Sequence, residues 1–284
     1  LKEISRRTRV PVIGTLGHNR YETELPATDK PKSTLTESFR GLRTNLQYLL
    51  REPDKKVVSV SSTVVGEGKT FITANLAAIT AVTGKKVLLV GLDLRKPRLH
   101  RLMGYTGTVG ISTYLIGRSN IDDIVFPSQV DNLYYAPSGP IPPNPAELIG
   151  SPKMDEFMAW ARSNFDYVVV DSPPVAIVSD AFLIARFTDA NLFVVRFGYS
   201  SREVLNLIND IYKHHEVRNL ALVINDFAPR RGYGYGYSYA YSYGYSYGYG
   251  YRYGYGYGPY TGSGYYSDDD EPPLTWKERI KRLF

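Results

Sequence analysis

Residues 56–84 read KVVSVSSTVVGEGKTFITANLAAITAVTG: an apolar β-rich run, a loop punctuated by glycine, then a helical pattern. A strand feeding a helix through G-E-G-K-T (66–70) has the form of a phosphate-binding loop. Gly66 and Gly68 let the backbone curl and aim N–H groups at phosphate oxygens. Lys69 adds a point charge, Thr70 a hydroxyl for Mg²⁺, and the following helix its positive N-terminal end. Glu67 and Phe71 complete the candidate nucleotide-binding stretch. Thr63 stands where the strict pattern has its first glycine. Taken alone, G-E-G-K-T is also compatible with a Gly-rich turn carrying a solvated lysine; the strand–loop–helix context favours nucleotide binding.

Working outward, further apolar runs occur at 86–92, 132–136, 166–171, 190–196 and 219–225, with helical patterns between them, as at 201–215. Near-continuous apolar strands alternating with helices predict an α/β fold, a mostly parallel sheet covered by helices on both faces. Ligands of such sheets bind at the carboxyl ends of the strands. Two aspartates fall there. Asp171 closes DYVVVD, where a carboxylate can orient Mg²⁺, and Asp93 follows KVLLVGL. Each also has an ordinary reading as a helix cap or solvated turn. Asn225, closing NLALVIN, fits either a contact to a nucleotide base or a simple turn. His214 and His215 read as surface residues at a helix end, with no metal site.

Composition sets the outer limits. The 284 residues are 43% hydrophobic and 22% charged, enough for a globular core. Cysteine is absent, which excludes a disulfide scaffold, thiolate zinc, iron–sulfur clusters and a cysteine nucleophile. No apolar stretch approaches the roughly 18 residues of a membrane span, and LKEISRRTRVPVIG lacks the apolar region of a signal peptide. The net charge of +6 suits an anionic partner and gives no indication of nucleic acid.

Tyrosine is the anomaly. Of 25 tyrosines, nine lie between Tyr21 and Tyr212 and sixteen crowd the C-terminal region. These are Tyr233, Tyr235, Tyr237, Tyr239, Tyr241, Tyr243, Tyr245, Tyr247, Tyr249, Tyr251, Tyr253, Tyr255, Tyr257, Tyr260, Tyr265 and Tyr266. The chain thus divides into a basic leader (1–32), an α/β domain (33–228), a low-complexity tyrosine cluster (229–267) and a terminal segment (268–284). That last segment joins an acidic run, Asp268 to Glu271, to the basic amphipathic WKERIKRLF, suited to an anionic membrane surface or a protein groove. The cluster reads as an aromatic sticker that self-associates, or as a flexible array of phosphate acceptors. About 35 flexible residues span roughly 30–35 Å, enough to reach an adjoining subunit.

These motifs together resemble the bacterial tyrosine kinases, in particular the cytoplasmic kinase domain of Wzc-like polysaccharide co-polymerases. The resemblance rests on G-E-G-K-T (66–70), L-D-L-R-K-P (92–97), P-P-N-P-A-E-L (142–148), D-S-P-P-V (171–175) with S-D-A (179–181), and the tyrosine cluster. It adds E-S-F-R-G-L-R, in which Glu37, Arg40 and Arg43 match the family's subunit-contact motif. The resemblance implies a P-loop NTPase fold of the deviant-Walker class related to MinD and ParA. It implies a kinase using ATP and Mg²⁺, with Lys69, Asp93, Arg95 and Asp171 catalytic, and Thr70, Asp93 and Asp171 around the metal. It further implies autophosphorylation of the tail between subunits of a ring, and regulation of polysaccharide polymerisation and export. Its implied partners are that export machinery, a tyrosine phosphatase and a membrane-spanning portion upstream of Leu1. The implied location is the cytoplasmic face of the bacterial inner membrane.

Local reading leaves alternatives beside this one. Thr34 to Glu37 fits a capping box, and Arg40 and Arg43 share a helical face that water alone could satisfy. Family members commonly carry two aspartates in D-x-D-L-R; here the first is Gly91. Where the partitioning ATPases have a second lysine, this chain has Val64, which argues against that branch. An ATPase switch without protein kinase activity, and a pseudokinase scaffold whose tail binds partners, are the competing functions.

Overall fold

A computed structural model of the chain describes residues 2–50, 56–176, 179–214 and 217–228. Eight strands form one sheet: β1 (Val12–Gly17), β2 (Val57–Ser62), β3 (Val87–Gly91), β4 (Phe126–Pro127), β5 (Leu133–Ala136), β6 (Tyr167–Asp171), β7 (Ala190–Arg196) and β8 (Leu220–Phe227). Their order is β1-β8-β7-β2-β6-β3-β5-β4, and every neighbouring pair is parallel except β4 with β5. The apolar runs at 56–62, 86–92, 132–136, 166–171, 190–196 and 219–225 become β2, β3, β5, β6, β7 and β8. β2 and β3 are buried along their whole length, the expected state of central strands covered on both faces.

Two strands were not legible. β1 arises inside the 1–32 segment, where a leader was expected, and pairs with β8 at the sheet edge. Most of its residues are only half-buried, so it lacks the apolar run that marks the inner strands. β4 has two residues, too few for any alternation to show.

The helix Lys69–Ala81 is buried at every position from Ile72 to Ala81. A helix apolar on all sides belongs inside the protein, and this one lies between the sheet and the helix Thr34–Leu49. Ala74, Ala77, Ala78 and Ala81 keep its surface low, so its neighbours approach closely. Phe39, fully buried, meets Phe71 edge-on with ring centroids 5.9 Å apart. Phe71 therefore turns its ring into the core, leaving its backbone toward the loop.

The helix Thr34–Leu49 is capped one residue earlier than the sequence suggested. Ser33 is the N-cap, its hydroxyl accepting from the Thr36 N–H at 3.1 Å. Thr36 in turn donates to the Pro26 and Lys30 carbonyls, which fixes the preceding turn and favours the earlier start.

Because Phe39 closes the seam between the loop-bearing helix and its cover, Phe39→Ala should cost about 3–5 kcal/mol, as large core truncations do. Urea denaturation followed by circular dichroism measures this, and a loss under about 1 kcal/mol would contradict the packing described.

Candidate functional site

β2, β6 and β3 lie side by side, so their carboxyl ends deliver the loop 63–70, Asp171 and Asp93 to one place. Lys69 Nζ lies 2.9 Å from Asp93 Oδ2 and 3.2 Å from Asp171 Oδ1, with only 12% of its side chain exposed. Thr70 Oγ1 donates to Asp171 Oδ2 at 2.9 Å. Asp93 also accepts from the Lys96 N–H at 3.0 Å, which seats it in the turn after β3.

Charge explains the stability of this cluster. Burial favours the neutral amine of Lys69, but Asp171 and Asp93 outweigh it and hold the ammonium above its ordinary range. Burial pushes the Asp171 carboxyl upward, against the opposing pull of Lys69 and Thr70, and Asp93 adds to the rise. One cation facing two buried carboxylates leaves a formal excess of negative charge.

The loop itself is built around Glu67. Its carboxylate is fully buried and accepts from the N–H groups of Thr63 and Val64 at 2.7 and 2.9 Å and from the Thr63 hydroxyl at 2.8 Å. Ser200 supplies a further hydroxyl. Thr63, the departure from the glycine pattern, is thereby incorporated: its side chain satisfies the brace. Gly66 and Gly68 both adopt positive φ, 92° and 94°, which an L side chain resists. Asn225 donates its Nδ2 to the Glu67 carbonyl at 2.8 Å.

The remaining candidate residues are more dispersed. Arg95 spends Nε and Nη2 on the buried Asp180, at 2.7 and 3.0 Å, in a paired fork on S-D-A. Arg40 bonds Glu37 at 3.0 Å and the Pro31 carbonyl at 2.9 Å. Arg43 donates to the Ile79 carbonyl at 2.8 Å, near the end of the loop-bearing helix, where a cation suits the carbonyl end. The tyrosines from Tyr233 to Tyr266 lie outside the described residues. Among the described residues no helix is long and apolar enough to cross a membrane.

Sequence reasoning missed Arg196, Tyr199, Ser200 and Ser138. The first three reach the loop from more than a hundred residues downstream. Ser138 donates its hydroxyl to the Gly91 carbonyl at 2.9 Å, and a Cβ on Gly91 would stand 2.7 Å from that hydroxyl oxygen. Ser138 thus occupies the space that a side chain at position 91 would enter.

The donor set fits a nucleotide with a hard divalent cation. A hydroxyl and two carboxylates are oxygen ligands of the kind Mg²⁺ takes beside phosphates and water. Glycines at positive φ beside a helix N-terminus form a concavity of N–H groups suited to anions.

A family model described as an AAA domain matches residues 55–224. The tyrosine-protein kinase YwqD of Bacillus subtilis is 37% identical over 185 residues, which is 65% of this chain and 78% of that protein. The tyrosine-protein kinase wzc of Salmonella typhi is 33% identical over 230 residues, 80% of this chain but 32% of that protein. The chain thus spans about a third of the length of that longer relative. Among solved structures, the kinase domain of the Escherichia coli tyrosine kinase ETK superposes with a TM-score of 0.71 at 27% identity, covering 80% of this chain and 95% of that one.

The Ser138 contact yields a prediction. Gly91→Asp should not strengthen catalysis; it should overpack the end of β3 and destabilise the fold by about 1–3 kcal/mol. Thermal unfolding together with a kinase assay decides this, and pairing the change with Ser138→Gly should recover part of the stability, since the backbone nitrogen of residue 138 stays close. A gain in turnover by Gly91→Asp alone would refute the account.

Proposed function

This chain belongs to the bacterial tyrosine-protein kinases, and from that membership we propose that it transfers the γ-phosphoryl group of ATP to tyrosine hydroxyls, first among them those of its own C-terminal cluster. The observation that supports this most strongly is the convergence of Lys69, Thr70, Asp93 and Asp171 within hydrogen-bonding distance at three adjacent strand ends. Phosphoryl transfer needs little covalent chemistry from a protein; positioning and charge compensation supply most of the rate.

In this reading the N–H groups of Gly66 to Phe71 cradle the phosphates. Lys69 moves from its carboxylate partners to the β- and γ-phosphate oxygens. Thr70, Asp93 and Asp171 would hold Mg²⁺, which when bound neutralises the charge shared by the β- and γ-phosphates. The tyrosine oxygen forms a bond to the γ-phosphorus as the bond to the β–γ bridging oxygen breaks, and ADP departs. Asp93 receives the phenolic proton. Arg95, held by Asp180, contributes positive charge at the mouth of the site, and Asn225 reaches toward the base from the Glu67 carbonyl. An ATPase switch and a pseudokinase scaffold are the alternatives, the scaffold suggested by Gly91 standing in place of an aspartate.

The cellular reading follows the resemblance to the Wzc-like kinases. The chain acts at the cytoplasmic face of the inner membrane, joined to a membrane-spanning portion, and regulates polysaccharide polymerisation and export. A ring forms through the helix carrying Glu37, Arg40 and Arg43, and a tyrosine phosphatase resets the tail. Each phosphate adds about −1.5 to −2 charges, so accumulated phosphorylation opposes assembly.

Mass spectrometry after incubation with Mg-ATP tests the activity. Phosphotyrosine supports the kinase, ADP without phosphotyrosine the ATPase, and neither product the scaffold. Lys69→Met should abolish phosphotyrosine, and Asp93→Asn should come close to doing so; near-normal activity in Asp93→Asn would remove that residue from the mechanism.

Sedimentation velocity tests the ring. The unphosphorylated chain should form a closed oligomer that phosphorylation shifts toward monomers, with partial recovery at high salt, because exposed charges are screened over about 8 Å at physiological ionic strength. Arg40→Ala should weaken assembly while preserving ATP binding. Identical distributions for phosphorylated and phosphatase-treated protein would defeat this mechanism.

A further inference from the structure

Three consecutive carbonyl oxygens of the loop are each bound by a side chain from elsewhere in the fold. Tyr199 Oη donates to the Val65 carbonyl at 3.0 Å, Arg196 Nη1 to the Gly66 carbonyl at 3.1 Å, and Asn225 Nδ2 to the Glu67 carbonyl at 2.8 Å. A trans peptide is planar, with its C=O and the next N–H pointing in opposite directions. Pinning the carbonyls of 65, 66 and 67 on one side therefore turns the N–H groups of Gly66, Glu67 and Gly68 to the other. That is the orientation an anion-binding nest requires.

We propose that Arg196, Tyr199 and Asn225 are positioning residues that hold the loop ready for phosphate, so that they govern affinity for ATP more than turnover; this rests on the nucleotide-binding part of the proposed function. The donors approach as closely as glycine permits. A Cβ on Gly66 would lie 2.8 Å from the Tyr199 hydroxyl, and one on Gly68 would collide with Asn225 Nδ2. The donors are themselves held. Arg196 Nε bonds Asp226 at 2.9 Å, and Asp226 also engages His18 at 2.6 Å. The Arg196 guanidinium lies over the Tyr199 ring, 5.3 Å from its centroid. The turn carrying Tyr199 is closed by Ser200 N–H donating to the Arg196 carbonyl and Arg196 N–H donating to Ser200 Oγ. Ser200 then reaches the buried Glu67 carboxylate, which tethers the other side of the loop.

Tyr199 separates positioning from mere support, because it is 56% exposed and contributes little to the core. Without these bonds the loop peptides sample both orientations, and ATP binding must first select the competent one, which weakens apparent affinity by the fraction lost. Tyr199→Phe keeps the ring and removes one hydrogen bond, so the Kd for Mg-ATP, measured by calorimetry on the full chain, should rise about threefold to tenfold. The KM for ATP should rise alongside it, with kcat at saturating ATP within about twofold of normal. Arg196→Ala should have the larger effect and Arg196→Lys an intermediate one, because an ammonium can restore one donor. Tyr212→Phe, an exposed tyrosine away from the loop, serves as the control.

The melting temperature of the nucleotide-free Tyr199→Phe chain should not change. Normal Mg-ATP affinity in both Tyr199→Phe and Arg196→Ala would overturn the proposal. So would an affinity loss matched by a lower melting temperature in both, which would mean simple support of the fold. Weakened binding by the variants, in a chain that makes no phosphotyrosine, would sustain the positioning role while refuting the kinase reading. Failure of the unaltered chain to bind Mg-ATP would refute both.

Discussion

A buried ammonium between two buried carboxylates is the constraint around which the domain is arranged. Taking Lys69, Asp93 and Asp171 out of water is costly, and only close pairing offsets the cost. Pairing at 2.9 and 3.2 Å demands that three strand ends be held in fixed register, since a small displacement would leave a charge unmatched. The sheet meets that demand with β2, β6 and β3 adjacent and parallel, and with the pairs Val60–Asp171 and Gly91–Asp171 fixing their relative heights. The cluster is still unbalanced. Burial, with a smaller contribution from the like charge of Asp93, leaves Asp171 reluctant to ionise despite Lys69 and Thr70. A divalent cation beside polyphosphate would relieve that imbalance while freeing Lys69 for the phosphates. The resting charge pattern and the proposed reaction are in this sense two arrangements of the same groups.

The rest of the fold serves the loop that carries Lys69. The helix it opens is buried from Ile72 to Ala81, and its alanines let the helix Thr34–Leu49 cover it closely. Arg43 ties that cover to the far end of the same helix through the Ile79 carbonyl. Contacts beginning at the proposed ring interface therefore touch both ends of the packing that supports the loop. An assembly contact that engaged Arg40 would act on a helix already coupled to the site, with Glu37 and the Pro31 carbonyl as its resting partners.

Much of this architecture was legible because burial leaves a plain signature. The inner strands are continuous apolar runs, G-E-G-K-T has few other uses after a strand, and the two aspartates stand where strands end. What was hidden fell into two kinds. β1 is a half-exposed edge in a basic, proline-containing segment, and its pairing with β8 is decided by the tertiary fold. The loop's supports are hidden for a different reason. Arg196, Tyr199 and Ser200 lie about 130 residues from the groups they bind, and nothing local marks them. Glu67 was read as part of the nucleotide site from its place in the motif, but its carboxylate faces inward to Thr63 and Val64. A hydroxyl four residues before a glutamate flanked by glycines was the one available hint.

Two departures, Thr63 from the strict phosphate-loop pattern and Gly91 from the family's paired aspartates, are handled alike. Each is filled by a local hydrogen bond in place of the usual residue: the Thr63 hydroxyl bonds Glu67, and the Ser138 hydroxyl takes the Gly91 carbonyl and the space beside it. Neither substitution loosens the site, since the loop gains a buried brace and the end of β3 gains a fixed carbonyl two residues before Asp93. The second also limits the charge. A third carboxylate at position 91, which pairs with Asp171 in the register of β3 and β6, would add like charge beside Asp93 and Asp171, and desolvation penalises each added charge. A glycine at position 91 and the close approach of Ser138 are therefore compatible with each other and with the short charge list of the site.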